Sequence, residues 1–188
     1  MAKIISLVFH PLLLSLLTFS VMVVSGHGVT LQGLLILGLC LLLVDVFPLL
    51  YVYRMKRNHL TSHWDIPERL QRSNPLLFSV FLYAFGIVLL ILLEASLPVK
   101  VLMFAYMLNT SVIWLITRYW KISIHAASYG GSVAALAAIL SPAFYWLVAL
   151  LPILLFARVR TKSHTPMQVI IGFVLALLLT SIQFKVAT

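Results

Sequence analysis

Acidic residues and cysteine are scarce in this chain. Its 188 residues include 4 aspartates and glutamates, against 13 lysines and arginines, and the only cysteine is Cys40. A single cysteine excludes an intrachain disulfide. The few acids form no cluster, so the sequence offers no set of carboxylates for a metal site. No polar stretch is long enough for a soluble domain, and the largest is 54–75, RMKRNHLTSHWDIPERLQRSNP.

Long hydrophobic runs make up most of the chain. The sequence is 63% hydrophobic with a mean hydropathy of +1.12, which a soluble domain of this length could not bury. Each run is near the length that an α-helix needs to cross a bilayer. We therefore predict an all-α, polytopic transmembrane helical bundle of about six to seven spans, as one membrane-embedded domain over 1–188. The runs lie at 4–24, 31–53, 76–96, 99–118, 124–140, 142–157 and 168–186.

Two of these runs have further features. The first exceeds the apolar core of a signal peptide and lacks a convincing cleavage site, so we expect a retained span. The fifth contains SYGGSVAALAA at 128–138, whose small residues predict close packing between helices.

Basic residues fall mostly on one side of the predicted membrane. With seven spans, the polar segments 54–75, 118–125 and 158–168 share a face with the N-terminus. Because lysine and arginine favour the cytoplasmic side, we expect this face in the cytoplasm, at a bacterial inner or plasma membrane. Topology accounts for the basic excess, so we expect no nucleic-acid partner. This face collects Lys3, Arg54, Lys56, Arg57, Arg69, Arg72, Arg118, Lys121, Arg158, Arg160 and Lys162, and the opposite face has Lys100 and Lys185.

Cations, hydroxyls and imidazoles recur in the three polar segments. Arginine forks match phosphate oxygens, and helix N-termini add N–H donors and a positive dipole end. Ser123 suits the N-cap of one helix, and Thr165 suits that of another beginning at Pro166. Without accompanying carboxylates, these groups indicate a phosphate site rather than a metal site. The candidates are Arg69, Arg72, Lys121, Ser123, His125, Arg158 and His164.

Three stretches, PERLQRSNP, KISIHAAS and RVRTKSHTPMQ, occur in this order along the chain. Together they resemble the motifs of the integral-membrane type 2 phosphatidic acid phosphatase superfamily. That family reads approximately Lys-x6-Arg-Pro, then Pro-Ser-Gly-His, then Ser-Arg-x5-His-x3-Asp. The third motif fits best, because Arg158, His164 and Gln168 follow the family's spacing. The resemblance covers three short segments, in the family's order and in a membrane setting.

The first two motifs fit less well. In the second, Ser123 aligns with the family's serine, while isoleucines replace the proline and the glycine. In the first, Arg72 with Pro75 nearby stands for Arg-Pro, without the family's lysine. Arg69 lies on the same side of a helical turn as Arg72, and Lys121 opens the second motif. These two cations are further phosphate-binding candidates.

The resemblance implies an enzyme that hydrolyses lipid phosphates without a metal or another cofactor. In that family the third-motif histidine attacks phosphorus and forms a phosphohistidine, and His164 has that position. The second-motif histidine, here His125, protonates the leaving oxygen. Arg158 and Arg72 would hold the phosphoryl oxygens, with help from the hydroxyl of Ser123. Positioning and charge neutralisation of this kind are what phosphoryl transfer requires.

Gln168 stands where the family has an aspartate. An aspartate would orient His164 and stabilise the imidazolium formed during attack, whereas a glutamine can orient the ring but brings no charge. The same residue also completes a capping box, Thr165-x-x-Gln168, at the start of the last helix. The sequence leaves both roles open, and they are compatible.

Several other polar residues have simpler interpretations. Arg160 and Lys162 suit contacts with anionic head groups. His10 suits a hydrogen-bonded interior position of the first span. His59 and His63 are four residues apart, but no glutamate completes a metalloprotease pattern, so no metal is expected there. The remaining basic residues near span ends suit snorkelling and topology, namely Lys3, Arg54, Lys56, Arg57 and Lys185.

The sequence therefore predicts a lipid phosphate phosphatase with its site at the cytoplasmic interface. The substrate's head group would reach the cations while its tail stays in lipid. Candidate substrates are prenyl phosphate or diphosphate, phosphatidate and phosphatidylglycerol phosphate. The alternative is a non-catalytic membrane protein that binds or transports a phosphorylated lipid or a small anion. A structural assembly subunit would require the histidine–arginine arrangement to be a coincidence.

Overall fold

The computed structural model describes residues 1–61, 66 and 68–187. Within these ranges the chain is predominantly helical and contains no β-strand, which confirms the predicted all-α class. The α-helices are α1 (Ala2–Val8), α2 (Pro11–His27), α3 (Leu31–Leu41), α4 (Phe47–Arg57), α5 (Ser73–Leu92), α6 (Leu97–Thr117), α7 (Ile124–Ile139), α8 (Leu151–Arg160) and α9 (Pro166–Ala187). A π-helical turn covers Leu42–Val46, and 3-10 helices cover Leu70–Arg72 and Pro142–Leu150.

Six helical stretches in the described part of the chain are long and apolar enough to cross a membrane. Large apolar side chains are exposed along them, as expected where lipid rather than water surrounds a helix. The protein is an integral membrane protein. The α7 helix is the shorter apolar one, with 16 residues and a length of about 24 Å. The spans are Ala2–His27, Leu31–Arg57, Leu70–Leu92, Leu97–Thr117, Pro142–Arg160 and Pro166–Ala187.

The chain forms two compact units. Unit 1 comprises Met1–Met22 and Ile122–Thr188, and unit 2 comprises Val23–Lys121. In unit 1, α7 packs along α9, and α1 packs against α8. In unit 2, α5 packs along α6. Of the seven phosphate-site candidates, Arg69, Arg72 and Lys121 belong to unit 2, and the other four belong to unit 1.

The first span is interrupted, which corrects the expectation of one continuous helix over 4–24. The α1 helix ends at Val8, and α2 begins at Pro11. Proline has no N–H to continue the helical ladder, and it disfavours helical backbone in the residue before it. His10 is therefore at a helix break, where its Nδ1 accepts a hydrogen bond from the Leu12 N–H at 3.3 Å. His10 therefore caps α2. The sequence predicted a hydrogen-bonded interior residue and did not predict this capping role.

The span Leu31–Arg57 of unit 2 contains a π-helical turn over Leu42–Val46. Pro48, in the first turn of α4, has no N–H to donate to the carbonyl of Val44 four residues earlier. In the π turn before this proline, backbone hydrogen bonds join residues five apart instead of four, which accommodates the missing donor. The turn contains Asp45, the only acidic residue within the spans of unit 2.

Close contact between α7 and α9 confirms the packing predicted for the small residues of 128–138. A Cβ atom added at Gly130 would clash with the Phe173 carbonyl oxygen and would lie 3.0 Å from the carbonyl carbon, closer than van der Waals contact. One added at Gly172 would lie 2.8 Å from the Ser123 carbonyl oxygen. The absence of side chains at these glycines lets the backbones approach. Between these helices, Tyr129 of α7 packs on the ring of Phe173 of α9, with ring centroids 5.5 Å apart.

Candidate functional site

The end of α8 fixes the path of the chain after Arg158. The Lys162 N–H donates to the Val159 carbonyl at 2.9 Å, and the Ser163 N–H donates to the Arg158 carbonyl at 3.1 Å. Lys162 has a left-handed backbone, with φ of 53°. These bonds form a Schellman motif, in which a left-handed residue closes the helix. The His164 N–H also donates to the Arg158 carbonyl, at 3.3 Å, so the loop folds back beside the arginine.

The start of α9 is a capping box, which confirms the interpretation of Thr165-x-x-Gln168. The Gln168 N–H donates to the Thr165 Oγ1 at 3.4 Å, and the Thr165 N–H donates to the Gln168 Oε1 at 3.2 Å. Each bond gives an acceptor to a backbone N–H group that would have no partner within the helix. The Schellman motif of α8 and this box are adjacent in sequence, and together they set the spacing between Arg158 and His164.

Gln168 also contacts the imidazole of His164. Its Oε1 lies 3.1 Å from the His164 Nδ1. The Thr165 N–H needs an acceptor, which identifies the amide atom at this point as oxygen. The Nδ1 of a neutral His164 ring must then carry the hydrogen, and the lone pair is on Nε2. One glutamine oxygen thus caps the helix and sets the tautomer of the histidine.

The start of α7 is held beside the start of α9. Ser123 is the N-cap, as predicted, and its Oγ accepts a hydrogen bond from the Ala126 N–H at 3.4 Å. The Ser123 N–H donates to the Gln168 carbonyl at 3.1 Å. Ser123 is fully buried. His125 follows two residues later, in the first turn of α7, and is buried at 6% exposure.

These bonds link four predicted site residues within unit 1, and His125 follows Ser123 in the first turn of α7; we call these five residues the histidine–arginine cluster. The Arg158 carbonyl holds the His164 backbone, the Gln168 side chain holds the His164 ring, and the Gln168 carbonyl holds Ser123. The cluster consists of Arg158, His164, Gln168, Ser123 and His125.

Burial separates Arg158 from the two cations that follow it. Arg158 is 3% exposed, whereas Arg160 and Lys162 are exposed. Residues two apart on a helix point to different sides, which explains the contrast between the arginines. Unit 1 contains no aspartate or glutamate in its sequence, so its charged side chains are all positive. Such a unit attracts anions.

His10 lies near the histidine–arginine cluster, although the sequence did not predict it as a site residue. Its ring and the His125 ring are 5.1 Å apart between centroids, with an interplanar angle of 86°. Both residues belong to unit 1. The sequence signal was present, because a histidine followed by Pro11 within an apolar run indicates a helix break with a polar group in the membrane.

The other predicted phosphate-binding residues belong to unit 2. Arg72 is 5% exposed, and its Nε donates to the Ile66 carbonyl at 2.6 Å. Arg69 precedes the 3-10 helix Leu70–Arg72 and is partly exposed. Lys121, the last residue of unit 2, is also partly exposed. The structure describes these three residues within unit 2, and their part in the site stays a prediction.

The two histidines of the 54–75 segment, for which no metal was expected, are only partly described. His59 is exposed and has a left-handed backbone, with φ of 56°, after the end of α4. His63 lies outside the described residues. Across 1–61, 66 and 68–187, histidine, cysteine and acidic side chains form no group of three that could hold a metal ion.

Comparison with known proteins adds no relative. No protein-family model, no curated protein and no solved structure matches the chain. The case for function therefore depends on the resemblance of the motifs and on the geometry of the histidine–arginine cluster.

Proposed function

We propose that the protein is a metal-independent phosphatase of lipid phosphates that works through a phosphohistidine at His164. The observation that carries this proposal is the double contact of the Gln168 Oε1 with the Thr165 N–H and the His164 Nδ1. It leaves the lone pair of a neutral His164 ring on Nε2, the nitrogen free of that contact. A nucleophilic histidine needs its lone pair on a defined nitrogen.

The reaction has two steps at phosphorus. In the first, Nε2 of His164 attacks, the P–O bond to the lipid breaks, and the protonated ring of His125 gives its proton to the leaving oxygen. In the second, water attacks phosphorus, the P–N bond breaks, and His125 takes the proton of the water. Inorganic phosphate leaves and His164 regains its neutral form. General acid–base catalysis of this kind contributes about 10²–10⁴-fold.

The cluster also supplies donors for the phosphoryl oxygens. Arg158 is a buried cation next to the backbone of His164. The Ser123 hydroxyl accepts from the Ala126 N–H, and its own hydrogen is suited to a phosphoryl oxygen. A charge-assisted hydrogen bond contributes about 1.5–3 kcal/mol, too little by itself for an enzymatic rate enhancement. Arg158 therefore acts together with the covalent route through His164.

The substrate is an amphiphile whose phosphate enters the membrane-embedded unit. Because the spans expose apolar side chains to lipid, the tail of the substrate stays in the bilayer. Prenyl phosphate or diphosphate, phosphatidate and phosphatidylglycerol phosphate all meet this description. The lysine and arginine bias favours the cytoplasmic side of a bacterial inner or plasma membrane as the position of the site.

The test is phosphate release by the purified protein from a panel of these lipid phosphates, with a chelator present. We expect release from at least one lipid, and His164→Ala should abolish it. Lys162→Ala is the matched control, because Lys162 is an exposed cation two residues before His164. It should retain wild-type activity. Release from none of the lipids, or equal release by His164→Ala, would contradict the proposal.

A second candidate is a protein that binds a phosphorylated lipid without hydrolysing it. One observation favours it: the residue that contacts His164 is a neutral glutamine, whose oxygen is already shared with the Thr165 N–H. Glutamine, unlike the family's aspartate, brings no negative charge of its own to stabilise the imidazolium that attack would create. This candidate predicts that the wild type and His164→Ala retain the same lipid phosphate, measured by native mass spectrometry, and that neither releases phosphate.

A further inference from the structure

The break in the first span places two consecutive aromatic rings on one side of α7. The Phe9 ring packs edge-to-face on Tyr129, with centroids 4.8 Å apart and planes at 83°. The His10 ring meets His125 in the same manner, at 5.1 Å and 86°. His125 and Tyr129 are four residues apart, so they lie one above the other on one face of the helix. Phe9 and His10 therefore pack on a single stripe of α7.

A hydrogen bond from the neighbouring backbone holds the His10 ring in place. Its Nδ1 accepts from the Leu12 N–H at 3.3 Å, and Pro11 between them fixes one backbone dihedral. Accepting at Nδ1 puts the hydrogen of a neutral His10 ring on Nε2. A ring held by its own helix cap has little freedom to turn. The surface that it presents to His125 is correspondingly rigid.

Phe9, the residue before His10, is also held in place. It is buried in the core of unit 1, together with Tyr129 and Phe173. The Tyr129 hydroxyl donates to the Leu147 carbonyl, which fixes that ring in turn. Since Phe9 and His10 are adjacent in the chain, the core contact of one limits the position of the other.

We propose that His10 is a positioning residue for His125, an inference that rests on the proposed function. Through the edge-to-face contact it holds the imidazole plane of His125 where the ring can protonate the oxygen leaving from phosphorus. In this role His10 acts through His125 rather than on phosphorus. It acts only on the step in which the P–O bond breaks and His125 gives up its proton.

This role predicts a dependence on the leaving group. An alkyl lipid phosphate leaves as an alkoxide, a strong base that needs the proton, whereas a nitrophenyl phosphate leaves as a stable phenolate that scarcely needs one. A displaced general acid should therefore slow the first substrate and spare the second. A general loss of folding or packing would slow both substrates alike.

Two variants separate the ring of His10 from its helix cap. His10→Asn keeps a side-chain acceptor for the Leu12 N–H and removes the ring, because asparagine is a good N-cap. His10→Phe keeps an aromatic ring beside His125 and loses the acceptor. The experiment measures kcat on the alkyl lipid phosphate and on the nitrophenyl phosphate, together with the thermal midpoint of unfolding in detergent. His125→Asn is run beside them as the reference for a lost acid.

We expect His10→Asn to lower kcat on the alkyl phosphate by about 10- to 100-fold, to change the aryl phosphate less than about threefold, and to leave the midpoint unchanged. His10→Phe should recover most of that loss while lowering the midpoint. Equal losses of His10→Asn on both substrates, or no loss on either, would overturn the inference. Failure of the proposed function itself is a different result, because the wild type would then release phosphate from neither substrate.

Discussion

His164 and His125 both lie at the start of a helix, but they are held by different kinds of contact. His164 comes just before the N-cap of α9, and its Nδ1 meets the Gln168 oxygen at 3.1 Å. His125 lies inside the first turn of α7, and its ring packs edge-to-face on that of His10. The hydrogen bond specifies which nitrogen carries a proton, whereas the ring contact specifies a plane.

The difference matches the two chemical roles that the proposed reaction requires. A nucleophile must present a lone pair from the same nitrogen at every turnover, so a tautomer fixed by hydrogen bonding suits His164. An acid that later becomes a base must change its protonation twice. A ring contact suits His125 because it limits the orientation of the imidazole without fixing which nitrogen carries the proton. The following predictions change the surroundings of His164, or the connection between the two histidines.

The largest effect is expected from removing the guanidinium beside His164. Arg158→Ala retains the backbone carbonyl that accepts from the His164 N–H, so the loop keeps its path. We expect phosphate release to fall about 100-fold, because the lost charge-assisted bond contributes up to about 3 kcal/mol. Arg160→Ala is the control, since Arg160 is exposed in the same helical turn, and it should change the rate less than about twofold. Equal effects of the two variants would contradict a special role for the buried arginine.

A substitution at Gly172 tests the connection between the two histidines. An added Cβ would lie 2.8 Å from the Ser123 carbonyl oxygen, so α7 and α9 must separate at their shared end. We expect Gly172→Ala to lower the free energy of unfolding by about 1–3 kcal/mol and to reduce activity, measured by denaturant titration in detergent and by phosphate release.

Gly38→Ala is the matched control for that experiment. Gly38 lies within α3, and a Cβ there would meet no atom within 4 Å. Alanine favours helix over glycine by about 1 kcal/mol, so this variant should be neutral or slightly more stable. If Gly172→Ala behaved in the same way, the close contact at Ser123 would be unnecessary for the site.

Adding a charge to the contact of His164 alone should sharpen the contrast. Gln168→Glu keeps the length of the side chain and both acceptor contacts, and its carboxylate stabilises the imidazolium formed during attack. We expect phosphate release to rise up to about tenfold, corresponding to about 1.4 kcal/mol. Thr165→Ala is the control for the capping role. It should cost about 1 kcal/mol of stability while the rate per folded molecule stays unchanged. A rate that falls in Gln168→Glu would contradict the stabilisation of an imidazolium at His164 by a negative charge at this position.

The smallest effect is expected at Lys162, whose left-handed backbone closes α8. Glycine adopts that conformation without steric cost, so Lys162→Gly should raise the free energy of unfolding by no more than about 1 kcal/mol. Thr161→Gly, at a φ of −80°, gains nothing from the substitution and should be less stable than the wild type. Chemical denaturation of the two variants side by side checks the sign of the difference.

Much of the fold and the helix caps could be predicted from sequence because the physics involved is local. The apolar runs predicted the spans, and the pattern Thr165-x-x-Gln168 predicted the capping box that the structure contains. The burial of Arg158 and the exposure of Arg160 also follow from helical periodicity. Residues two apart on a helix are rotated by about 200°, so their side chains point to nearly opposite sides.

What the sequence did not predict depends on contacts between distant parts of the chain. His10 and His125 meet because α1 ends at Val8 and the rings of Phe9 and His10 pack on one stripe of α7. Neither the break nor the pairing follows from the hydropathy of an apolar run. Pro11 gave the local signal for the break, but only packing within unit 1 decides which helix its neighbour faces.

The two helix ends between Arg158 and His164 have a consequence for how this chain tolerates changes of length. The Schellman motif ends at Ser163 and the capping box begins at Thr165, so no residue of the connection is spare. Inserting or deleting one residue there would remove a cap from α8 or α9, in addition to moving the histidine. Folding and chemistry thus require the same number of residues in this loop, and neither can be relaxed without the other.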